Sequence, residues 1–126
     1  MDGIHLLGEW FDCTADSTVF GDAGSMRELC LDLTRACGLA AVGECFHQFQ
    51  PQGVTGTVLL AESHLAIHTW PETRFASIDV FVCNFRSDNQ TKARQLFDAL
   101  RQALGPGRVH EQAIRREGAA QALRAA

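Results

Sequence analysis

The hydrophobic pattern of the chain predicts two amphipathic helices. Between about residues 25 and 37, apolar side chains recur every three or four positions, as in a helix that buries one face. Ser25 with Glu28 forms the Ser-x-x-Glu pattern of an N-terminal capping box, and Gly38 follows as a stop. The second stripe lies between residues 87 and 104, where Ser87 or Asp88 is the expected cap. Its apolar members are Ala93, Leu96, Phe97, Leu100 and Leu104.

Apolar and polar residues alternate elsewhere, which predicts strands at about 4–13, 39–49, 54–61, 64–70, 75–83 and 108–114. In the 64–70 stretch, Leu65, Ile67 and Thr69 face one way and the residues between them face the other. Pro71 ends this strand, and Gly56 marks a point where a backbone or ligand approaches closely.

The order strand, helix, several strands, helix, strand predicts an α+β fold. We expect a two-layer sandwich, in which an antiparallel sheet carries two helices on one face. Neither a linker nor a repeat divides the sequence, so we expect a single domain over residues 1–126. The turn-rich stretch at 16–24 is expected to be irregular, and the tail at 115–126 a frayed helix or disordered.

Composition narrows the classes of function. The chain has 126 residues, 46% of them hydrophobic, and a formal net charge of −4. This charge argues against nucleic-acid binding, and no apolar run reaches the roughly 18 residues that indicate a membrane span. Five irregularly spaced cysteines do not resemble a disulfide framework. With no secretory signal in the sequence, we expect reduced thiols and a cytoplasmic protein.

Ser63 and the neighbouring histidines are the first candidates for chemistry. A serine between Glu62 and His64 is by itself an ordinary turn serine, and the Gly-x-Ser-x-Gly motif of hydrolases is absent. His64 and His68 have the spacing of a zinc pair on a helix. On a strand, however, they lie about 13 Å apart, too far for one ion to bridge easily, so no metal site is predicted.

Cys83 ends an apolar strand, where a cysteine is usually a small buried side chain. We interpret the other four cysteines in that way: Cys13, Cys30, Cys37 and Cys45. Aromatic residues such as Phe49, Trp70 and Phe81 would ordinarily belong to the core, and Glu72 would ordinarily be solvated. The pattern of residues alone therefore predicts an α+β domain with a polar cluster around positions 62–83, and no specific function.

Three stretches in this order resemble the prokaryotic S-adenosylmethionine decarboxylase proenzymes. They are Phe46-His47-x-Phe49-x-Pro51-x-Gly53-Val54-x-Gly56, then Glu62-Ser63-His64-x-x-Ile67-His68-Thr69-Trp70-Pro71-Glu72, then Asp79-Val80-Phe81-x-Cys83. The resemblance is strong from about 45 to 84. The Ser-His-x-x-x-His-Thr-Trp-Pro-Glu run is its most specific part.

The resemblance implies that the chain cleaves itself between Glu62 and Ser63, giving residues 1–62 and 63–126. Ser63 would become a covalent pyruvoyl group, which forms a Schiff base with the substrate amine and withdraws electrons during decarboxylation. His68 would be the base of the cleavage reaction, and Cys83 the donor that returns a proton to the substrate carbon.

By the same resemblance, Phe49 and Trp70 lie near the sulfonium of S-adenosylmethionine, Glu72 binds the ribose hydroxyls, and Thr55 assists cleavage where relatives often have serine. The enzyme would work as a homodimer with sites across the interface and would supply the aminopropyl donor for spermidine. Residues 73–75 depart from the family pattern, which keeps a related arginine or ornithine decarboxylase open. A non-catalytic paralogue is a third alternative.

Overall fold

A computed structural model describes residues 2–84 and 88–118, which form one six-stranded antiparallel sheet with three helices. The strands are β1 (Gly3–Phe11), β2 (Ala41–Gln48), β3 (Val54–Leu60), β4 (Ser63–Trp70), β5 (Phe75–Cys83) and β6 (Arg108–Arg116), in the spatial order β2-β3-β4-β5-β1-β6. The helices are α1 (Ser17–Phe20), α2 (Ala23–Ala36) and α3 (Gln90–Leu104). The predicted α+β sandwich is confirmed, with a short additional helix.

The two long helices cover one face of the sheet, because α2 contacts β2 and β3 while α3 contacts β1 and β5. Strand residues on this covered face are buried, including Trp10, Leu65 and Ile78. Each large apolar side chain buried there stabilises the fold by about 1.5–3 kcal/mol. Pro71 ends β4 as predicted, since a short turn (Pro71–Thr73) begins at that residue.

The opposite face, which we call the open face, carries no helix of this chain. Strand register places alternate residues of every strand on it, so a row such as His64, Phe81 and His5 crosses three strands. All five histidines of the chain lie on the open face: His5, His47, His64, His68 and His110. The predicted candidates His68 and Cys83 therefore share a face.

Both helix starts differ from the predicted ones. Helix α2 begins at Ala23, and its cap is Asp22, whose carboxylate accepts a hydrogen bond from the Ser25 N–H at 2.8 Å. The capping box at Ser25 was therefore wrong, because an aspartate three residues earlier accepts from that N–H instead. Helix α3 begins at Gln90, whose N–H donates to the Asp88 carboxylate. The other expected cap, Ser87, lies outside the described residues.

Two segments predicted to be irregular are ordered elements. The turn-rich stretch contains α1, capped by Asp16. At the other end, Arg115 and Arg116 are not part of a frayed tail, because they continue β6 and pair with Ile4 and Gly3. Their charged side chains gave no strand signal, and the pairing to β1 supplies the order instead. No helix within the described residues is both long and apolar enough to span a membrane.

Gly56 does mark a close approach, although by a side chain rather than a backbone or ligand. A Cβ built at Gly56 would lie 2.1 Å from a ring carbon of Phe46, the residue opposite it on β2. The cysteine prediction holds for Cys13 and Cys30, which are buried, whereas Cys37 is half-buried. It was wrong for Cys45, which is exposed because it lies on an edge strand and faces away from the helices.

Candidate active site

Ser63 is the first residue of β4 and follows a two-residue turn, Ala61-Glu62, that joins it to β3. The tight turn places the Glu62–Ser63 peptide bond at the tip of a hairpin. The Ser63 Oγ accepts a hydrogen bond from the backbone N–H of Cys83 at 3.1 Å. The adjacent strand therefore fixes the position of the serine oxygen.

Cys83 ends β5 on the open face and is half-buried. Its backbone carbonyl accepts a hydrogen bond from the Asn89 side chain at 2.8 Å, which ties the strand end to the start of α3. Burial raises the pKa of the Cys83 thiol, and the nearby positive charge of Arg116 partly offsets this. The thiol is therefore protonated at neutral pH, as a proton donor must be.

Arg116 is a residue that sequence reasoning missed. It lies on the open face across Gly3 from Cys83, and its guanidinium sits 5.0 Å from the centre of the Phe81 ring. In the sequence it belongs to a charged segment without alternation. Only the register of β6 brings it to the end of the sheet where Ser63 and Cys83 lie, which we call the Ser63 end.

His68 lies near the other end of β4, directly opposite Thr55 on β3. The Thr55 hydroxyl and the His68 Nδ1 are 3.0 Å apart, within hydrogen-bond distance. A partner at Nδ1 orients the imidazole ring. The structure thus joins the predicted base to the residue predicted to assist it.

A cleft of about 250 Å³ opens beside His68. It contains all three residues predicted to bind substrate, together with the Thr55–His68 pair. Its lining includes Phe49, Gln52, Thr55, His68, Trp70 and Glu72. Phe49 and Trp70 are 47% and 42% exposed, so the ordinary interpretation of both as core aromatics was wrong. We call this region the His68 end.

The structure does not bring the Ser63 end and the His68 end together within one chain. Five residues of extended strand separate Ser63 from His68, a span of about 17 Å at 3.3–3.4 Å per residue. Cys83 is further still, since Ser77, its strand-mate six residues earlier, is the residue opposite His68. Proton transfer requires contact at about 3 Å, so His68 cannot serve Ser63 of its own chain.

At the Ser63 end, the open face also carries a cluster around His5, a residue that the sequence did not single out. The His5 ring packs against His64 and Phe81, and its Nε2 lies 3.5 Å from an Asp79 oxygen. Within residues 2–84 and 88–118, no three His, Cys, Asp or Glu side chains are arranged to hold a metal ion.

Comparison with known proteins gives the same result at three levels. Residues 4–117 match the family model for S-adenosylmethionine decarboxylase. The S-adenosylmethionine decarboxylase proenzyme of Prochlorococcus marinus (strain MIT 9313) is 42% identical over 105 residues, which are 83% of this chain and 79% of that protein. The proenzyme of Acidithiobacillus ferrooxidans (strain ATCC 53993 / BNL-5-31) is 33% identical over 114 residues, 90% of this chain and 81% of the relative. The crystal structure of the adenosylmethionine decarboxylase from Aquifex aeolicus VF5 superposes with a TM-score of 0.79 at 33% identity, covering 89% of this chain and 88% of that one.

Proposed function

Because this chain belongs to the S-adenosylmethionine decarboxylase family, we propose that it is a proenzyme that cleaves itself between Glu62 and Ser63 and then decarboxylates S-adenosylmethionine. The observation that carries the proposal is the family match over residues 4–117, within which Ser63, His68 and Cys83 are all present. The product would serve as the aminopropyl donor for spermidine. We place the enzyme in the cytoplasm, where an exposed thiol such as Cys45 stays reduced.

The cleavage reaction begins with the Ser63 hydroxyl. Its Oγ attacks the carbonyl carbon of Glu62, the C–N bond breaks, and an ester to Oγ replaces the amide while the amine of residue 63 is freed. A base then removes the Cα proton of residue 63, and the Glu62 carboxylate leaves with the C–O electron pair. Water hydrolyses the resulting dehydroalanine to a pyruvoyl group and ammonia, which balances the reaction.

The residues around Ser63 fit this reaction. The Cys83 N–H already donates a hydrogen bond to the Ser63 Oγ, which becomes an oxygen of the Glu62 carboxylate on elimination, and a carboxylate oxygen is likewise an acceptor. Once formed, the pyruvoyl group supplies an electron sink for loss of carbon dioxide. Cys83, protonated at neutral pH, lies at the same end of the sheet, and we assign to it the return of a proton to the substrate carbon.

A second copy of the chain would supply the missing base. In the dimer that we propose, the open faces of two protomers stack about 10 Å apart. The two-fold axis lies between the two sheets and runs perpendicular to β4. Such an axis reverses the strand direction. The Ser63 end of each protomer therefore meets the His68 end of its partner, which gives two equivalent sites in the dimer. We therefore assign His68, Thr55 and the adjacent cleft to the active site that contains the other protomer's Ser63 and Cys83.

The surface of the open face supports this dimer. Large apolar side chains stand exposed across it, with Leu59 at 48%, Trp70 at 42% and Ile114 at 43%. Exposed apolar groups on a sheet face mark a site of interaction, and stacking on a second copy would bury them. Both the incomplete sites and the exposed apolar groups therefore favour the same arrangement.

The cleft at the His68 end has the chemistry for a sulfonium nucleoside. A cation over the exposed face of Phe49 or Trp70 gains about 0.5–2 kcal/mol. Glu72 lies on the turn at the rim of the same cleft, where its carboxylate can accept hydrogen bonds from ribose hydroxyls. These three side chains discriminate a nucleoside from arginine or ornithine, neither of which carries a ribose.

Intact-mass analysis of the purified protein tests the first step. We expect two chains, residues 1–62 and 63–126, the second lighter by one ammonia than a chain beginning with serine. Ser63→Ala should give one uncleaved chain. Carbon dioxide release from S-adenosylmethionine, arginine and ornithine then identifies the substrate. A wild-type chain that stays intact under all conditions, or that releases carbon dioxide only from an amino acid, contradicts the proposal.

A further inference from the structure

Arg74 occupies a backbone position that ordinarily favours glycine. It ends the Pro71–Thr73 turn with φ of 56° and ψ of 37°, in the left-handed region. A side chain with a Cβ is disfavoured in this conformation by about 1–2 kcal/mol. An arginine here must therefore make interactions that offset this cost.

The Arg74 side chain makes such interactions with the segment that follows β1. Its Nε donates a hydrogen bond to the Cys13 carbonyl at 2.6 Å, and its Nη2 donates to the Ala15 carbonyl. The guanidinium also stacks over Phe20, 5.1 Å from the ring centre. In return, the Cys13 N–H donates to the Arg74 carbonyl at 3.0 Å. The turn and residues 13–20 are therefore joined on both backbone and side chain.

The same segment also supports the loop before β3, which lines the cleft. The Gly21 carbonyl accepts hydrogen bonds from the Gly53 N–H at 3.1 Å and from the Gln48 side chain at 2.9 Å. Gly53 and Glu72 both line the cleft, Gly53 on the loop before β3 and Glu72 on the turn after β4. Residues 13–21 thus contact both segments, and Arg74 is the side chain that joins the turn bearing Glu72 to them.

We propose that Arg74 is a positioning residue for nucleoside binding, which holds the turn bearing Glu72 against residues 13–20 and so fixes the position of Glu72 in the cleft. The guanidinium donates to Cys13 and Ala15 rather than into the cleft, so it acts through Glu72 and Trp70 instead of touching substrate. This inference rests on the proposed function, because it takes the cleft as the nucleoside site.

A direct binding experiment tests the positioning role of Arg74 separately from the proposed function of the cleft. In the uncleaved Ser63→Ala protein, calorimetry measures the affinity for 5′-deoxy-5′-methylthioadenosine, a nucleoside without the amino acid. We expect Arg74→Gly to weaken nucleoside binding about tenfold, the effect of losing one or two of the hydrogen bonds that hold the turn. The midpoint of thermal unfolding should stay the same, because glycine adopts the left-handed backbone conformation without strain. Arg74→Lys should fall in between, and the exposed Arg35→Lys should bind like the parent.

The outcomes are distinct. If the parent protein does not bind the nucleoside, the proposed function of the cleft is wrong. If the parent binds and a folded Arg74→Gly variant binds equally well, the positioning role is wrong. In processed enzyme, we expect Arg74→Gly to raise KM with kcat and the rate of chain cleavage unchanged, since the Arg74 side chain donates its hydrogen bonds to Cys13 and Ala15 and the Thr55–His68 pair is held by its own contact. A lowered kcat at unchanged KM would overturn the inference.

Discussion

Ser63 and His68 lie on the same strand but at opposite ends of the sheet. Each has its own partner there: Ser63 the backbone of Cys83 at 3.1 Å, and His68 the hydroxyl of Thr55 at 3.0 Å. Two groups assigned to one reaction are thus held apart by about 17 Å of rigid strand. On the proposed assignment, one chain carries two half-sites, and each protomer would depend on its partner for a complete one.

Complementation between two inactive variants tests this dependence. Ser63→Ala and His68→Ala should each remain uncleaved alone. When they are co-expressed, a mixed dimer pairs the intact Ser63 of one chain with the intact His68 of the other. We expect cleavage of the His68→Ala chain and roughly a quarter of wild-type activity, given random pairing and one functional site per mixed dimer. Absence of any cleaved chain in an isolated mixed dimer would exclude catalysis across the interface.

The Thr55–His68 contact predicts a specific effect on self-cleavage. Thr55→Val removes the hydroxyl at constant shape and should slow cleavage about tenfold, since a neutral hydrogen bond contributes about 0.5–1.5 kcal/mol. Thr55→Ser should cleave at nearly the normal rate. Thr57→Val is the matched control, because Thr57 lies two residues along β3 and donates to the Leu65 carbonyl instead. Equal rates for the two valine variants, measured by time-resolved gel analysis, would contradict a role for Thr55.

Arg116 should influence turnover through the Cys83 thiol. Its charge lowers the thiol pKa that burial raises, so Arg116→Gln moves that pKa upward. The alkaline limb of the kcat profile, where the donor loses its proton, should then shift to higher pH. At neutral pH, the thiolate left after proton donation is less stabilised, and kcat should fall roughly two- to fivefold, the effect of about 0.5–1 kcal/mol.

Two variants control for this effect. Arg116→Lys keeps the charge and should keep the wild-type profile. Arg115→Gln changes the neighbouring residue, which pairs with Asp2 and points to the other face, and should leave kcat unchanged. An alkaline limb that moves to lower pH in Arg116→Gln would show that Arg116 does not act on Cys83 in this way.

Gly56 should be required for packing of the β2–β3 pair. In Gly56→Ala the new Cβ would overlap the Phe46 ring, and we expect a loss of about 1–3 kcal/mol in the free energy of unfolding. Gly24→Ala, in helix α2 with only the Asp22 carboxylate within 4 Å, should instead be neutral or stabilising by up to about 1 kcal/mol. Denaturant titration measures both, and equal stabilities would refute the packing argument.

Cys30 predicts how stability depends on alkaline pH. Burial raises the pKa of its thiol from 9.0 to about 12. Between these pH values the thiol loses its proton in the unfolded chain and keeps it in the folded chain. The free energy of unfolding therefore falls as pH rises, by about 1.4 kcal/mol per pH unit. The contribution is fully present below pH 9. Cys30→Ala should therefore show a shallower decline of unfolding free energy from pH 9 to 12 than wild type. Parallel curves would contradict the prediction.

The sequence by itself determined the elements and their faces. Alternation identified every strand that the structure describes, and the stripes of apolar residues identified both long helices, because burial against one partner layer imposes those periods. The errors had two causes: a competing local signal, since Asp22 supplies the cap expected from Ser25, and a tertiary contact, since pairing with β1 orders Arg115 and Arg116.

The sequence also determined the family, since the Ser-His-x-x-x-His-Thr-Trp-Pro-Glu run and its neighbours carry the resemblance. It did not determine which candidate residues meet. Strand register and strand order, which depend on pairing between distant segments, decided that Cys83 and Arg116 join Ser63 while Thr55 and the cleft join His68. Residues that are close together in a sequence motif can thus lie at opposite ends of a sheet, because an extended chain rises by more than 3 Å per residue.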